Sequence, residues 1–197
     1  MEVFKIEKLW NLDENYKTKA IELFVDGFYN IFSFSKDKKI LQELFIQSLD
    51  FSIIYVCLHE TNVVGFLGIG NNKKRPACFD KSVCQKLLGK VKGFIVYNQL
   101  SVIMEKPAVK GEKDLYIDYL TTDKKYGRKG IATKLINFVC DELDFNECYI
   151  EVLSKNENAK RLYEKIGFKE YKRIYNPFIM MQGLGVAIKM KRQIKKL

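Results

Sequence analysis

Short apolar segments divide the first 70 residues into strands and helices. Alternating or β-branched apolar positions predict strands at residues 3–9, 51–58 and 63–69, and the polar turn at 59–62 joins the last two into a hairpin. Apolar residues at helical spacing predict one helix after Asp13 and a second from Ser35. Asp13 is suited to cap the first helix, because its carboxylate can accept hydrogen bonds from free N–H groups at the helix start.

Residues 71–113 form a less regular connection. Residues 71–76 and 107–113 have the pattern of loops, and residues 80–88 have helical spacing. Residues 91–104 are apolar, and their pattern fits a helix and a strand equally. A long connection inside a compact domain often forms a wall or lid of a site, so we interpret 71–113 as an insertion.

The pattern after residue 113 is regular. It predicts strands at 115–120, 148–153, 168–175 and 185–191, and helices at 131–143 and 156–166, the second closed by Gly167. Alternation of strands and helices predicts an α/β or α+β fold with a mixed sheet.

Composition limits the class of protein. The 197 residues are 47% apolar, which predicts one folded domain over residues 1–197, with the insertion at 71–113 and a basic C-terminal tail at 189–197. No apolar stretch approaches the roughly 18 residues of a membrane span, and the start has no signal-peptide pattern, so we expect a cytoplasmic protein without a membrane partner. Five cysteines without a Cys-x-x-Cys pair, and a single histidine, His59, predict neither a disulfide scaffold nor a metal site.

The formal net charge of +10 is concentrated in two segments. Residues 121–134 carry a net +4 and residues 189–197 a net +5. Such clusters attract phosphates of any kind, from a polynucleotide to a small cofactor. For the tail, a solvated end is the simpler interpretation, and the lack of aromatic residues after Phe178 argues against nucleic-acid binding.

The segment after the strand at 115–120 has the composition of an anion site. Gly127 and Gly130 allow backbone N–H groups to approach a ligand, and the helix that starts at Ile131 adds a partial positive charge at its N-terminus. Arg128 and Lys129 add full charges, so the segment suits a pyrophosphate. A simple glycine-containing turn on a wet surface explains the segment alone equally well.

A second block, residues 154–168, follows the next strand directly. Together the two blocks resemble the GNAT superfamily of acetyl-CoA-dependent N-acetyltransferases. The first block is similar to its Gln/Arg-x-x-Gly-x-Gly/Ala motif. The second is similar to its Asn-x-x-Ala-x-x-Leu-Tyr-x-x-x-Gly-Phe block, and the matching residues are Asn156, Ala159, Leu162, Tyr163, Gly167 and Phe168. One position departs from the pattern, because Gly127 stands where the family has Gln or Arg, which puts a side-chain contact there in doubt.

The resemblance implies a fold, a cofactor and a set of contacts. The fold is a mixed, mostly antiparallel central sheet with splayed strands flanked by helices, and the co-substrate is acetyl-CoA, with no metal. Main-chain groups near residues 120–122 bind the pantetheine arm, and the N–H groups of 128–133 bind the pyrophosphate. The cofactor-binding residues implied are Leu120, Thr121, Thr122, Gly127, Arg128, Lys129, Gly130, Ile131, Ala132, Thr133, Asn156, Ala159 and Tyr163.

Acetyl transfer to an amine needs two proton movements. An alkyl amine, with a pKa of about 10, must lose a proton before it attacks, and the departing thiolate, with a pKa of about 8.5, benefits from a donor. Tyr163 suits the role of general acid, and Asp118, which interrupts an apolar strand, is a candidate base. Asp118 could equally orient the substrate or bond to a neighbouring strand, and Glu151 is a weaker candidate base. Asn156 could also cap the second helix, with Ser154 as a competing cap.

The sequence therefore predicts direct acetyl transfer from acetyl-CoA to a primary amine of a small molecule or protein. The alternative is a non-catalytic module of the same fold that binds CoA or nucleic acid. A homodimer is left open, and no motif identifies the acceptor.

Overall fold

The computed structural model describes residues 2–176, 180 and 183–194. Its centre is a seven-stranded sheet in the order β1-β2-β3-β4-β5-β7-β6. The strands are β1 (Lys5–Lys8), β2 (Ile54–His59), β3 (Asn62–Gly70), β4 (Asp114–Thr122), β5 (Glu147–Leu153), β6 (Lys169–Ile174) and β7 (Ala187–Gln193). All neighbouring pairs are antiparallel except β4 and β5, which are parallel. The predicted mixed, mostly antiparallel sheet is confirmed.

Six helices flank the sheet in the described part of the chain. They are α1 (Glu14–Phe28), α2 (Lys38–Ser48), α3 (Lys81–Leu88), α4 (Lys90–Leu100), α5 (Ile131–Glu142) and α6 (Glu157–Lys165). Asp13 caps α1 as predicted, through bonds from the N–H groups of Asn15 and Tyr16. The second helix starts later than predicted, because Asp37, not Ser35, is its cap.

Two apolar clusters lie on opposite faces of the sheet. One packs α1 and α2 against the sheet around Phe24 and Phe45, both fully buried. The other packs α5 and α6 against the opposite face around Leu135 and Phe168. The hairpin predicted at 51–69 is present, although residues 51–53 form a short 3-10 turn in place of the start of the strand.

The insertion at 71–113 folds as a helical pair. Residues 91–104, left open between helix and strand, are helical, since α4 continues into a π-helical turn at Ser101–Glu105. Gly93 lets α4 lie close to α3, because a Cβ there would stand 2.4 Å from the Cys84 carbonyl oxygen. The Glu105 carboxylate accepts a bond from the Phe79 N–H and so ties the end of the helical pair to the segment before it.

The basic tail predicted at 189–197 starts inside the sheet. Lys189, Lys191 and Arg192 belong to β7, and Lys191 pairs with Glu147 on β5 at 2.8 Å. Arg192 donates to the Asn137 side chain at 3.1 Å and to the Ile166 carbonyl at 3.0 Å. Residues 195–197 lie outside the described residues.

In the described chain no helix has both the length and the apolar character for a membrane span, and no group of potential ligands could hold a metal ion.

Candidate functional site

A cleft opens where the two parallel strands separate. β4 and β5 pair only from Asp114–Ile117 with residues 147–150. Beyond that point β4 stays with β3 as far as Thr122, while β5 stays with β7 as far as Leu153. The cleft between them has a volume of about 130 Å³. Four of the predicted residues, Asp118, Leu120, Asn156 and Tyr163, line it together with Glu151.

The cleft begins at a β-bulge in β4. Tyr119 is opposite Gly68 and Ile117 is opposite Ile69, which leaves Asp118 as the extra residue. A bulge bends the strand and redirects its side chains. Ile117 accordingly packs with the α5 cluster, and Tyr119 packs on the opposite face with Phe24. The charged residue that stood out in an apolar strand therefore marks the point at which the strand changes direction.

Asp118 is paired with an arginine from the insertion. Its side chain is 1% exposed, and Arg75 donates to both of its oxygens, with Nε at 2.7 Å from Oδ2. Burial raises the pKa of Asp118, and the Arg75 guanidinium opposes that rise. The Arg75 guanidinium keeps its proton and donates to both carboxylate oxygens of Asp118. These contacts suit a residue that positions its neighbour.

Arg75 also ties the insertion to the cleft. Its Nη1 donates to the carbonyls of Ile103 and Lys106, at the end of the π-helical turn, and its guanidinium lies over the Tyr116 ring. Arg75 could not be identified from the sequence, since it lies in the loop 71–76, 43 positions before its partner. The unexplained charge at Asp118 was the one signal that a buried cation should exist.

Glu151 lies on the β5 side of the cleft. Burial is the main cause that raises the pKa of Glu151, and Asp118 adds to the rise, whereas Lys189 and Arg75 oppose it. The Lys189 ammonium is 4.0 Å away, and the side chain of Glu151 remains 34% exposed. Glu151 thus combines a raised pKa with a side chain that solvent reaches, whereas the side chain of Asp118 is 1% exposed.

Tyr163 is buried on the inner face of α6. Its ring centroid is 6.0 Å from that of Phe168, and its side chain lines the cleft. Burial raises the pKa of Tyr163 to about 12. The phenol therefore stays protonated at neutral pH and can donate its proton.

The predicted anion site follows β4 directly. After Thr122, residues 124–126 form a 3-10 turn, and α5 starts at Ile131 without a side-chain cap among the described residues. Arg128 and Gly130 have φ values of 63° and 75°. The left-handed conformation strains an arginine, and such strain occurs at ligand-binding loops. A Cβ on Gly130 would have no atom within 4 Å, so the chain is uncrowded at the start of α5, where the first N–H groups of a helix have no partner within the helix.

Other predicted residues occupy supporting positions. Thr121 packs under α1, because a Cβ on Gly27 would stand 2.1 Å from its hydroxyl oxygen. Asn156 caps α6 through a bond from the Ala159 N–H at 3.2 Å, as the alternative for this residue stated. Ser154 does not compete for the cap, since its hydroxyl accepts from the Val186 N–H. Lys129 pairs with Glu2 and lies over the Tyr126 ring.

The anion site and α6 meet at one edge of the sheet. β4 and β5 are parallel, so the loop after β4 and the start of α6 after β5 lie at the same, carboxyl edge. The start of α5 and the start of α6 therefore lie on the same edge of the sheet.

Comparison with known proteins gives a family and two groups of relatives. Residues 17–168 match the sequence model of the acetyltransferase (GNAT) family. N-alpha-acetyltransferase 30 of Xenopus laevis is 37% identical over 67 residues, 32% of this chain and 24% of that protein. Glucosamine 6-phosphate N-acetyltransferase of Trypanosoma brucei brucei is 23% identical over 111 residues, 56% of this chain and 72% of that protein. The chain thus spans about a quarter of the length of the first of these relatives.

Solved structures show the same fold. An N-acetyltransferase from Staphylococcus aureus Mu50 has a TM-score of 0.62 at 15% identity, covering 95% of this chain and 99% of that one. The NatC complex bound to Gag peptide and CoA contains a chain with a TM-score of 0.58 at 17% identity, covering 99% of this chain and all of that one. At these identities the likeness concerns the fold.

Proposed function

This chain belongs to the acetyltransferase (GNAT) family of enzymes, and we propose that it transfers the acetyl group of acetyl-CoA to a primary amine by direct attack, with Tyr163 as the general acid. The observation that carries the proposal is the cleft between β4 and β5, which holds a buried tyrosine and opens along the part of β4 that leads to the uncapped start of α5.

The residues present fit the cofactor at both ends of the cleft. The N–H groups of residues 128–133, with Arg128 and Lys129, would hold the pyrophosphate, because a helix N-terminus without a side-chain cap favours an anion. The main chain of Leu120, Thr121 and Thr122 turns one edge toward the cleft, since β4 no longer pairs with β5 there, and would bind the pantetheine amides as an added strand does. When bound, acetyl-CoA supplies the acetyl group as a thioester.

The two proton movements are assigned to different walls of the cleft. Tyr163, whose phenol keeps its proton at neutral pH, would donate that proton to the sulfur as the carbon–sulfur bond breaks, and solvent would afterwards return a proton to the phenolate. Glu151 would accept the proton of the amine, directly or through water, because its raised pKa brings it closer to the operating pH. Asp118 would then act through Arg75, by holding the insertion against the cleft.

The acceptor is proposed as a primary amine. The 67-residue similarity to N-alpha-acetyltransferase 30 supports a peptide α-amine as the first acceptor to test, and the longer match to glucosamine 6-phosphate N-acetyltransferase supports amino sugars as the second. An α-amine, with a pKa of about 7.7–8.0, needs less help from a base than an alkyl amine does.

Two measurements test the proposal. Acetyl-CoA at 100 times its dissociation constant should stabilise the fold by about 2.7 kcal/mol, a rise of roughly 5–10 °C in Tm for a chain of this size. A panel of peptide amines, amino sugars and alkyl amines is then assayed by thiol release from acetyl-CoA. No shift in Tm would refute the cofactor site, and a shift without release on any amine would favour the non-catalytic CoA-binding module.

A further inference from the structure

Helix α4 is apolar on the side that faces the solvent as well as on the side that faces the core. Its inner side is formed by Gly93, Val96 and Leu100, which are buried against α3 and the α1–α2 cluster. A surface helix normally carries polar residues on its outer side. An apolar outer side therefore needs a separate explanation.

The outer side of α4 carries an apolar ridge over its first two turns. It consists of Val91, Phe94 and Ile95, which are 76%, 46% and 50% exposed. At 3.6 residues per turn these three positions fall within roughly a third of the helix circumference, opposite the buried side, and the exposed Asn98 follows them on the same face. We call Val91, Phe94 and Ile95 the outer ridge. Contiguous exposed apolar surface of this kind marks an interaction site.

Lysines border the outer ridge. Lys90 and Lys92 are exposed and project on either side of it, and the Lys81 ammonium lies 4.7 Å from the centre of the Phe94 ring. No acidic residue occurs between positions 81 and 104. The ridge and its border together form an apolar surface with three lysines at its rim.

We propose that the outer ridge docks α4 onto an anionic lipid surface. Val, Ile and Phe side chains would enter the boundary between headgroups and acyl chains, while Lys81, Lys90 and Lys92 would pair with anionic headgroups. Lysine is depleted in protein–protein interfaces, and the ridge is a convex row rather than a pocket, so a lipid surface fits it better than a protein partner does.

The position of the ridge relates it to the cleft. The π-helical turn that follows α4 contains Ile103, whose carbonyl accepts a bond from Arg75, and Arg75 pairs with Asp118 in the cleft. A lipid surface bound to the outer ridge would therefore lie near the insertion side of the cleft. The docking itself needs neither the cofactor nor the acetyl transfer, so its test does not depend on the proposed function.

The test is vesicle flotation with the full chain. Phosphatidylcholine vesicles containing about 30% phosphatidylserine should bind the protein in about 0.1 M salt, and phosphatidylcholine vesicles alone should bind it at least tenfold more weakly. Raising the salt to about 0.5 M should weaken binding, because the lysine contribution is screened.

Two variants separate the apolar and charged contributions. Phe94→Ser with Ile95→Ser should weaken binding at least tenfold, since two apolar side chains no longer enter the lipid. Lys81→Ala with Lys90→Ala and Lys92→Ala should weaken it about a hundredfold, at about fivefold per lysine. The matched controls remove exposed groups of the same kind elsewhere: Val3→Ser with Tyr175→Ser, and Lys165→Ala with Lys169→Ala and Lys172→Ala. These controls should bind as the unaltered chain does, and all variants should keep its Tm.

Three results would overturn the proposal. The first is no binding to anionic vesicles, and the second is equal weakening by the ridge variants and their controls. The third is a dimer in sedimentation equilibrium that Phe94→Ser with Ile95→Ser converts to a monomer, because the ridge would then be covered by a second copy of the chain.

Discussion

The buried pair between Arg75 and Asp118 can be tested by a double-mutant cycle of Asp118→Asn, Arg75→Met and both together. The side chains are 12% and 1% exposed, so water cannot replace a lost partner. Breaking a buried pair by removing one member costs about 3–5 kcal/mol, because the other charge is left uncompensated. For a chain of this size that is a fall of roughly 6–20 °C in Tm.

The double variant should be less damaged than the two single variants predict. Removing both members leaves no unpaired charge, so we expect a coupling energy of about 2 kcal/mol. The assay is urea unfolding followed by circular dichroism, with the midpoint and slope fitted for each variant. The matched control is Arg161→Met, which breaks an exposed pair with Glu157 whose side chains are 74% and 70% exposed and should cost less than about 0.5 kcal/mol.

The pair does not stabilise the fold if the single variants cost no more than Arg161→Met does, or if the two losses add without coupling. Either result would mean that the insertion is not held against the β4 bulge by this pair. The positioning role also predicts a second effect: Arg75→Met should lower activity even where the protein is fully folded, because the wall of the cleft is no longer fixed.

Three further predictions concern the proposed chemistry. Tyr163→Phe should lower kcat about a hundredfold while acetyl-CoA still raises the Tm, because the phenol donates a proton and contributes little to binding; Tyr16→Phe is the control, and unchanged turnover would remove Tyr163 from the acid role. Gly130→Glu should abolish the Tm rise with acetyl-CoA, since the carboxylate would enter the anion site, whereas Gly89→Glu, at another open glycine with positive φ, should retain it; retained affinity in Gly130→Glu would place the pyrophosphate elsewhere. Activity should rise as the pH passes the pKa of Glu151, which burial places above its usual range. The Glu151→Gln variant should lack this rise on the acidic side of the pH profile. Tyr163, with a pKa of about 12, should add no alkaline fall below a pH of about 11, so a fall near neutral pH that Tyr163→Phe removes would contradict the assignment.

Features that depend on neighbouring residues could be predicted from the sequence. The helix at 131–143 and the strand at 148–153 follow from periodicity, and the structure places them at Ile131–Glu142 and Glu147–Leu153. The cap at Asp13 follows from the side chain itself. The association of the two blocks in one cleft required more than periodicity, since it depended on a resemblance to a family.

Features that depend on distant contacts could not be predicted. Arg75 reaches Asp118 only because the 71–113 connection folds back over β4, and no local pattern states that path. The apolar run at 91–104 was ambiguous for a related reason. Its inner side is apolar because it is buried, and its outer side is apolar although it is exposed, so the alternation that distinguishes a surface helix is absent.

The positive charge of the C-terminal segment has a different interpretation once the structure places its first residues in the sheet. A net +5 over residues 189–197 suggested a solvated end, yet Lys189, Lys191 and Arg192 lie in β7 beside β5. The register puts Lys189 opposite Glu151, the carboxylate proposed as the base. A cation at 4.0 Å opposes the rise in the pKa of Glu151 that burial produces, and so keeps the base ionised at lower pH than burial alone would allow. Part of the charge that first suggested a polyanion partner is therefore better understood as a component of the candidate site.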